Sequence, residues 1–463
     1  MTALWTATEA QAATGGRLTG PADWTASGVS IDSRSVAAGD LFVALAGPNH
    51  DGHDYVKAAI EGGAAAALVH KVPEGCEGLP LLVVDDTLAG LQALGRAARD
   101  RSQARIVAVT GSVGKTSTKE MLALALSAQG KTHWSVGSFN NHWGVPLSLA
   151  RMPADCRFGV FELGMNHAGE ITPLTAMVRP HVAIVTTVEL VHAGHFASVE
   201  DIADAKAEIF AGLEPGGTAV LNRDNRHFRR LANAAKLKGA ALLAFGSHID
   251  ADARLLDCAV DPTETAVFAL LRDRALSYRI GVPGRHWAMN SLAVLLAAGA
   301  LGADIDAAAR ALADMAPPKG RGERHPIRVA DGSAELIDES YNASPVSMKA
   351  AIATLAAARP GKGGRRVAVL GDMLELGAAA AALHAGIAET VVAWNIDVVH
   401  TAGPLCAALR DALPASRRGA HADTAEALAP LVKADIRAGD VVMVKGSAGS
   451  RMGRVVKALQ EGA

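Results

Sequence analysis

Aromatic side chains are scarce in this 463-residue chain, at 4%. Long apolar runs are missing too. The uncharged stretch Ser291–Ala303 falls well short of the ~20 residues a membrane-spanning helix needs. An excess of one charge is also absent. The formal net charge is −2, and no basic stripe runs along any segment, which argues against a nucleic acid or an anionic lipid surface as partner. The N-terminal MTALWTATEAQAATGG has no basic stretch followed by an apolar one, so it does not read as a secretory signal. Cysteines number four, Cys76, Cys156, Cys258 and Cys406. They are widely spaced with no C-x-x-C pair, as expected for reduced thiols in a cytoplasmic protein.

What is present is a globular composition, with 50% hydrophobic and 20% charged residues. At ~150 residues per domain the length suggests about three domains. The chain divides into three segments. The first, to about Gln103, holds the short apolar runs GDLFVALAG, AAAALVH and LLVVDD between turn residues. The second opens with RIVAVTGSVGKTSTKEMLALAL. It continues through the strand-like runs 157–163, 181–187 and 217–222, and ends in an alanine-rich helix from about His286 to Leu301. The third follows PPKGRGE and carries strand-like runs at 334–338, 365–372, 396–403 and 439–446. Strands alternating with helical patterns predict open, parallel, doubly wound α/β sheets.

The strand–loop–helix at Arg105 is the clearest chemical signal. In Thr110-Gly111-Ser112-Val113-Gly114-Lys115-Thr116-Ser117, two glycines allow backbone N–H groups to converge on phosphates. The following helix N-terminus adds a favourable dipole. Lys115 is placed to reach the terminal phosphates, and the Thr116 hydroxyl to reach Mg²⁺. The general phosphate-loop pattern has a further glycine where this chain has Val109. Glu162 ends an apolar run in the same segment. A carboxylate at the carboxyl end of a parallel strand faces the ligand crevice and is a hard oxygen ligand for Mg²⁺, or else a solvated strand-end acid.

Downstream, SVEDIADAKAEIFAGL reads as a helix with Ser198 and Asp201 as its capping box and an apolar stripe through Val199, Ile202, Ile209, Phe210 and Leu213. Lys206 lies on or beside that stripe, where a bare ammonium is costly. Three escapes exist: snorkelling to solvent, pairing with an anion, or reaction with CO₂ to give a carbamate, which is an anionic oxygen ligand. The loop before this helix supplies His192 and His195.

TGSVGKTSTKEM, FELGMNH, VHAGHF with AKAEIF, GRHWAMNS, KGRGE, IDESYNASP, LGDMLELG and VKGS occur in order from 110 to 447. With IDSRSVAAGDLFVAL and GHDYV near the N-terminus, the series resembles the Mur ligases of peptidoglycan synthesis, above all the members that join D-alanyl-D-alanine to a UDP-MurNAc-tripeptide. The resemblance implies a three-domain α/β architecture. Residues 1–104 would bind the UDP substrate, 105–318 would form a central ATP-binding domain on a parallel sheet, and 319–463 a Rossmann-like domain. It implies ATP and two Mg²⁺ ions as cofactors, small-molecule substrates, and a monomer in the cytoplasm.

It also implies residue roles. Glu162 matches the Mg²⁺ glutamate, His192 the histidine of a second metal site, and Lys206 a carbamylated lysine, so that Thr116, Glu162, His192 and Lys206 form the metal set. Asn290, with His286 nearby, matches an adenine-contacting asparagine, and Arg321 an arginine that reaches the ATP phosphates. Asp338 or Glu339, with Tyr341 and Asn342, match a motif that closes on the nucleotide, and the choice between the two acids stays open. Ser33 and Arg34 match the UDP site. Asn140, Asn141, Asn166 and His167 line the path of the sugar-peptide, and Ser447 and Arg451 the C-terminal loop near the incoming dipeptide. Two departures stand out: Trp287 and Ala448 occupy positions where many members carry Asn and Arg. No D-N-P-R motif is present, unlike the ligases that add the diamino acid. The N-terminal segment distinguishes the chain from folylpolyglutamate synthases. A phosphate-loop switch without ligation would not need Glu162, His192 and Lys206 together.

Overall fold

The computed structural model describes residues 3–47, 50–190 and 194–461. Three sheets organise the chain. The first has five strands in the order Arg17–Thr19, Leu81–Val83, Ala66–Val69, Asp40–Val43 and Gly28–Ser30, parallel except at the Arg17–Thr19 edge.

The second sheet has nine strands and begins, in chain order, with Arg105–Thr110. Its run of apolar residues is buried on both faces. Val107 and Val109 join one core with the helices Lys115–Ser127 and Arg285–Ala300, and Ile106 and Ala108 join the other with the helix Ile171–Val178. That two-sided burial is why the strand reads as a continuous hydrophobic run. Parallel neighbours flank it: Phe158–Glu162 on one side, with Glu162 opposite Val109, and Val182–Val185 on the other, with Val185 opposite Thr110. The chain runs outward in opposite directions from this central strand. It is therefore a topological switch point, and the crevice beyond its carboxyl end is where ligands bind in such sheets.

The expectation of a parallel sheet holds up to Ala253–Val260. Beyond it, Thr265–Leu271 and Arg274–Ile280 pair antiparallel and extend the sheet. The sequence reading did not find these strands. Each alternates buried and exposed positions, and only one face meets the core. The alanine-rich helix spans Arg285–Ala300 and packs its small side chains on the sheet, with Ser291 to Ala298 buried. Trp287 is 3% exposed and part of this core.

The third sheet has six strands. The hairpin Glu323–Val329 and Gly332–Glu339 leads into Val441–Lys445, Arg366–Gly371, Val398–Ala402 and Arg418–Ala422, all parallel after the hairpin. Glu339 lies opposite Lys445 at the carboxyl ends of neighbouring strands, so this sheet also aims its polar ends at a crevice.

Candidate active site

The carboxyl ends of the second and third sheets face one cleft of about 610 Å³. Its lining includes Ser112 to Ser117, Asn140, Glu162, Asn166 and Asn290 from one side. From the other come Arg321, Glu339, Tyr341, Asn342 and Ser447.

The loop between Thr110 and Lys115 forms because two positions have no side chain. Gly111 has φ +148 and Gly114 has φ +88. A Cβ at Gly111 would sit 1.9 Å from Thr186 Oγ1, and one at Gly114 would sit 2.8 Å from Asn290 Nδ2. Asn290 therefore packs directly on the loop. The loop is tied to the segment after Val182–Val185: Thr186 Oγ1 donates to Val113 O at 2.6 Å, and the Ser112 hydroxyl donates to Glu189 O at 3.0 Å while accepting from Glu189 N at 2.9 Å. The sequence reading did not pick out Thr186 or Glu189. Their position just past a parallel strand next to the phosphate loop is the signal that could have found them.

Lys115 Nζ folds back to donate to Gly111 O at 2.7 Å, across the mouth of the loop. Burial pushes its ammonium below the ordinary range, Glu162 opposes that, and the Arg321 charge adds to it. A polyanion bound in the loop would supply the acceptors this ammonium lacks. Thr116 Oγ1 donates to Glu162 Oε2 at 2.9 Å, and Asn140 Nδ2 donates to Glu162 Oε1 at 2.8 Å. Glu162 is 1% exposed. A hydroxyl and a carboxylate, both hard oxygen donors, thus meet beside the loop, as a Mg²⁺ site requires.

Lys206 sits in the helix Val199–Ala207, whose capping box of Ser198 and Asp201 forms as expected. It is 2% exposed, so the snorkelling alternative fails. Among the described residues it has neither a hydrogen bond nor an ion pair. Burial drives its pKa far down, and the nearby Lys115 charge acts the same way. Both effects favour the neutral amine, the form that adds to CO₂. His192 lies outside the described residues. His195 lies 4.4 Å from the His167 ring, centroid to centroid.

The third sheet contributes a second set. Lys445 Nζ reaches Glu339 Oε2 at 3.1 Å and Asn342 O at 2.9 Å. The Arg321 guanidinium stacks on the Tyr341 ring at 4.4 Å, and the Tyr341 hydroxyl meets Ser138 Oγ of the second segment. Burial lowers the His286 pKa, with Glu339 opposing and Lys445 reinforcing the shift. The two open acids divide cleanly. Glu339 lines the cleft, whereas Asp338, its neighbour on a strand, points to the opposite face. There it lines, with Glu323 and His325, an adjoining cavity that shares Thr116, Ser138, Arg321 and Tyr341 with the cleft. Ser447 is engaged structurally, accepting from Leu374 N at 2.9 Å and donating to Ala343 O at 3.3 Å.

Of the other expected site residues, Arg451, Ser33, Arg34, Asn141 and His167 do not line this cleft, whereas Asn166 does. Arg451 is not in the nucleotide cleft but lines the cavity that holds Asp338. Ser33 and Arg34 lie in the first segment, where Arg34 pairs with Asp32 at 2.7 Å on the surface. Asn141 Oδ1 caps the helix Gly144–Ala150, accepting from Gly144 N at 2.9 Å. Asn166 N donates to Glu170 Oε2 at 2.8 Å, and the His167 ring bonds Glu170 Oε1 at 2.9 Å.

Comparison with known proteins agrees with this geometry. The family profile described as the Mur ligase middle domain matches residues 109–298, the Mur ligase glutamate ligase domain matches 320–448, and the Mur ligase family catalytic domain matches 25–110. The UDP-N-acetylmuramoyl-tripeptide–D-alanyl-D-alanine ligase of Escherichia coli is 37% identical over 445 residues, covering 95% of each chain. The crystal structure of MurF from Acinetobacter baumannii superposes with a TM-score of 0.85 at 28% identity, over 99% of both chains. That of MurF from Thermotoga maritima in complex with ADP gives 0.77 at 26% identity, over 94% of this chain and 97% of the other. By the match of all three of its segments and its identity to a full-length relative, the chain belongs to the Mur ligase family.

Proposed function

We propose that the protein is an ATP-dependent, ADP-forming ligase that joins D-alanyl-D-alanine to UDP-N-acetylmuramoyl-tripeptide in peptidoglycan precursor synthesis. The observation that carries this reading is the cleft itself. A phosphate loop with a buried Thr116–Glu162 pair faces Arg321, Glu339, Tyr341 and Asn342 of another sheet across a space of about 610 Å³. We assign UDP-substrate binding to residues 1–104, ATP binding to 105–318 and the closing domain to 319–463.

A carboxylate resists nucleophiles because of its charge. Transfer of the γ-phosphoryl of ATP to a carboxylate oxygen makes an acyl phosphate and releases ADP. The amine of the dipeptide then attacks the acyl carbon, the amide forms, a proton leaves the nitrogen and phosphate departs. Most of the rate gain in phosphoryl transfer comes from positioning and charge stabilisation. Lys115, already at the mouth of the loop, turns from Gly111 O to the phosphoryl oxygens. Arg321 approaches from the opposite wall. Thr116 and Glu162 would hold one Mg²⁺, and His192 with a Lys206 carbamate a second, supplying positive charge beside the transferred group. The burial and the Lys115 charge that disfavour an ammonium on Lys206 support this, because an ammonium there would repel the metal. Asn290 and Glu339 flank the nucleotide side of the cleft. Asn140, Asn166 and His167 line the approach of the peptide, Ser33 and Arg34 hold the UDP end, and Ser447 and the loop before Arg451 border the dipeptide. We take the enzyme to act as a monomer. Among the described residues no helix is long and apolar enough to cross a membrane. We assign the enzyme to the cytoplasm.

The test is a coupled assay with ATP, Mg²⁺, UDP-MurNAc-tripeptide and D-Ala-D-Ala. Pentapeptide and phosphate should form in equal amounts, and phosphate should need both substrates. Phosphate release at the full rate without the dipeptide would overturn the assignment. Running the assay with diaminopimelate- and lysine-containing tripeptides identifies the third stem residue.

A further inference from the structure

Lys119 is fully buried, at 0% exposure, one helical turn beyond Lys115 on the helix that starts at the phosphate loop. A buried ammonium persists only when its donors are satisfied and its charge is countered. Lys119 meets both conditions. Its Nζ donates to Ser135 O at 2.7 Å and to Gly137 O at 2.8 Å, and it pairs with Glu120 Oε1 at 2.9 Å. The two carbonyls belong to the segment 135–140, which leaves the edge strand Thr132–Trp134 and passes over the cleft.

That segment touches the reaction machinery at three places. The Ser135 hydroxyl, itself buried, accepts from Glu162 N at 3.4 Å. Asn140 donates to Glu162 Oε1 at 2.8 Å, and its backbone carbonyl accepts from Gly164 N at 2.8 Å. Between these, Ser138 Oγ meets the Tyr341 hydroxyl of the third segment. Gly137, whose carbonyl Lys119 holds, has φ +56, a backbone conformation that glycine adopts without strain, so the turn presents this carbonyl to the lysine. The phosphate-loop helix therefore reaches the proposed metal carboxylate by two routes: directly through Thr116, and indirectly through Lys119 and this segment.

We infer that Lys119 is a positioning residue: it locks the 135–140 segment to the phosphate-loop helix, and so fixes both the Glu162 carboxylate and the docking point for Tyr341. The inference rests on the reading of Glu162 as a Mg²⁺ ligand. Lys119 touches no substrate. Its contribution is to keep one carboxylate oxygen of Glu162 on Asn140 and leave the other aimed at the metal position. Substitution should loosen the metal site before it affects dipeptide binding.

The experiment uses Lys119→Met, which keeps length and burial but removes the three donors. Circular dichroism and thermal melting confirm folding. The Mg²⁺ concentration for half-maximal turnover should rise at least about tenfold and kcat should fall, while KM for D-Ala-D-Ala stays within about twofold. A role in stability alone would lower the melting temperature and leave the Mg²⁺ requirement unchanged, and that result overturns the inference. Ser135→Ala, which removes only the bond to Glu162 N, should shift the Mg²⁺ requirement in the same direction by less. It decides the matter if Lys119→Met does not fold, and an unshifted Ser135→Ala then overturns the inference. Calorimetric titration of ADP at rising Mg²⁺ separates the two readings. If Glu162→Gln leaves the metal dependence of ADP affinity unchanged, the metal assignment itself is wrong. If Glu162→Gln shifts it and Lys119→Met does not, the positioning role is wrong.

Discussion

Lys206 combines three facts that are individually unfavourable: almost complete burial, no partner among the described residues, and the Lys115 charge nearby. Desolvation and like-charge repulsion both favour the neutral amine. A neutral amine adds to CO₂, and the resulting carbamate reverses the sign of the group. The sequence left three escapes for this side chain. Its phase on the helix was legible, but not its depth, which depends on neighbouring elements. Replacing Lys206 by alanine should lower kcat about a hundredfold or more, the usual cost of removing a charge-stabilising group. Formate or acetate should restore part of the activity by refilling the anionic position. Wild-type enzyme in CO₂-free buffer should lose activity that bicarbonate restores. Full activity in Lys206→Ala, or indifference to CO₂, rules out the carbamate. The two strand-end acids teach a related lesson. Adjacent residues on a strand face opposite ways, so Glu339, opposite Lys445, lines the cleft while Asp338 lines the adjoining cavity, which shares Thr116, Arg321 and Tyr341 with it.

At the level of elements, the strands buried on both faces were the readable part. Runs such as those at Arg105, Phe158, Val182 and Val441 have no polar alternation to confuse them, and each ends at or just before a residue that lines the site. The strand Arg274–Ile280 was hard to read, because its solvated face dilutes the apolar signal with Arg and Ser, whereas Thr265–Leu271 is an apolar run that the sequence reading passed over. The Ser135–Asn140 segment was also invisible as a unit, since two of its carbonyls are held by Lys119 of a different element, a contact that no local pattern announces.

Two histidines join these elements and carry a pH prediction. His181 Nδ1 accepts from Ile106 N at 3.0 Å, pinning the start of the central strand. Burial lowers its pKa to about 4, with Arg105 and Arg99 reinforcing and Glu214 opposing. His133 on the edge strand bonds Ser148 O at 2.7 Å, and burial lowers it to about 4 despite that bond. Both folded values lie below the ordinary histidine value. Between about pH 6.5 and 4 the unfolded rings therefore bind protons that the folded rings refuse. Stability is full above that window and falls as the pH drops through it. The loss should be about 1–2 kcal/mol per ring after allowing for solvent screening. Urea unfolding at pH 7.5, 6 and 5 measures it. His181→Gln should be less stable at pH 7.5 but show a flatter pH dependence. An equally steep profile in that variant would assign the acid sensitivity to other groups.

The molecule as a whole must solve a problem that no single element can. An acyl phosphate hydrolyses in water, so the cleft has to exclude solvent while the dipeptide enters. Its walls belong to different sheets, and among the described residues the hydrogen bonds that join them are polar contacts between side chains and loops. They include Tyr341 with Ser138, and Gly194 N donating to Glu375 O at 3.4 Å. A small polar interface of this kind suits a closure that must reopen every cycle, because each contact is worth only about 1 kcal/mol. Tyr341 is the natural latch. Its hydroxyl meets the second segment, its ring carries Arg321 at 4.4 Å, and its backbone N donates to Gly320 O at 3.2 Å in the connecting stretch. Cutting the side chain back in Tyr341→Ala removes both side-chain contacts and leaves the metal pair Thr116–Glu162 untouched. Phosphoryl transfer should continue, but more of the acyl phosphate should be lost to water. The ratio of phosphate released to pentapeptide formed should rise from one to about two or more, most sharply at low dipeptide concentration. Tyr341→Phe keeps the ring under Arg321 and loses only the hydroxyl, so it should fall between the two. If turnover drops in both variants while the ratio stays at one, Tyr341 binds nucleotide without guarding the intermediate, and exclusion of water must come from another part of the wall.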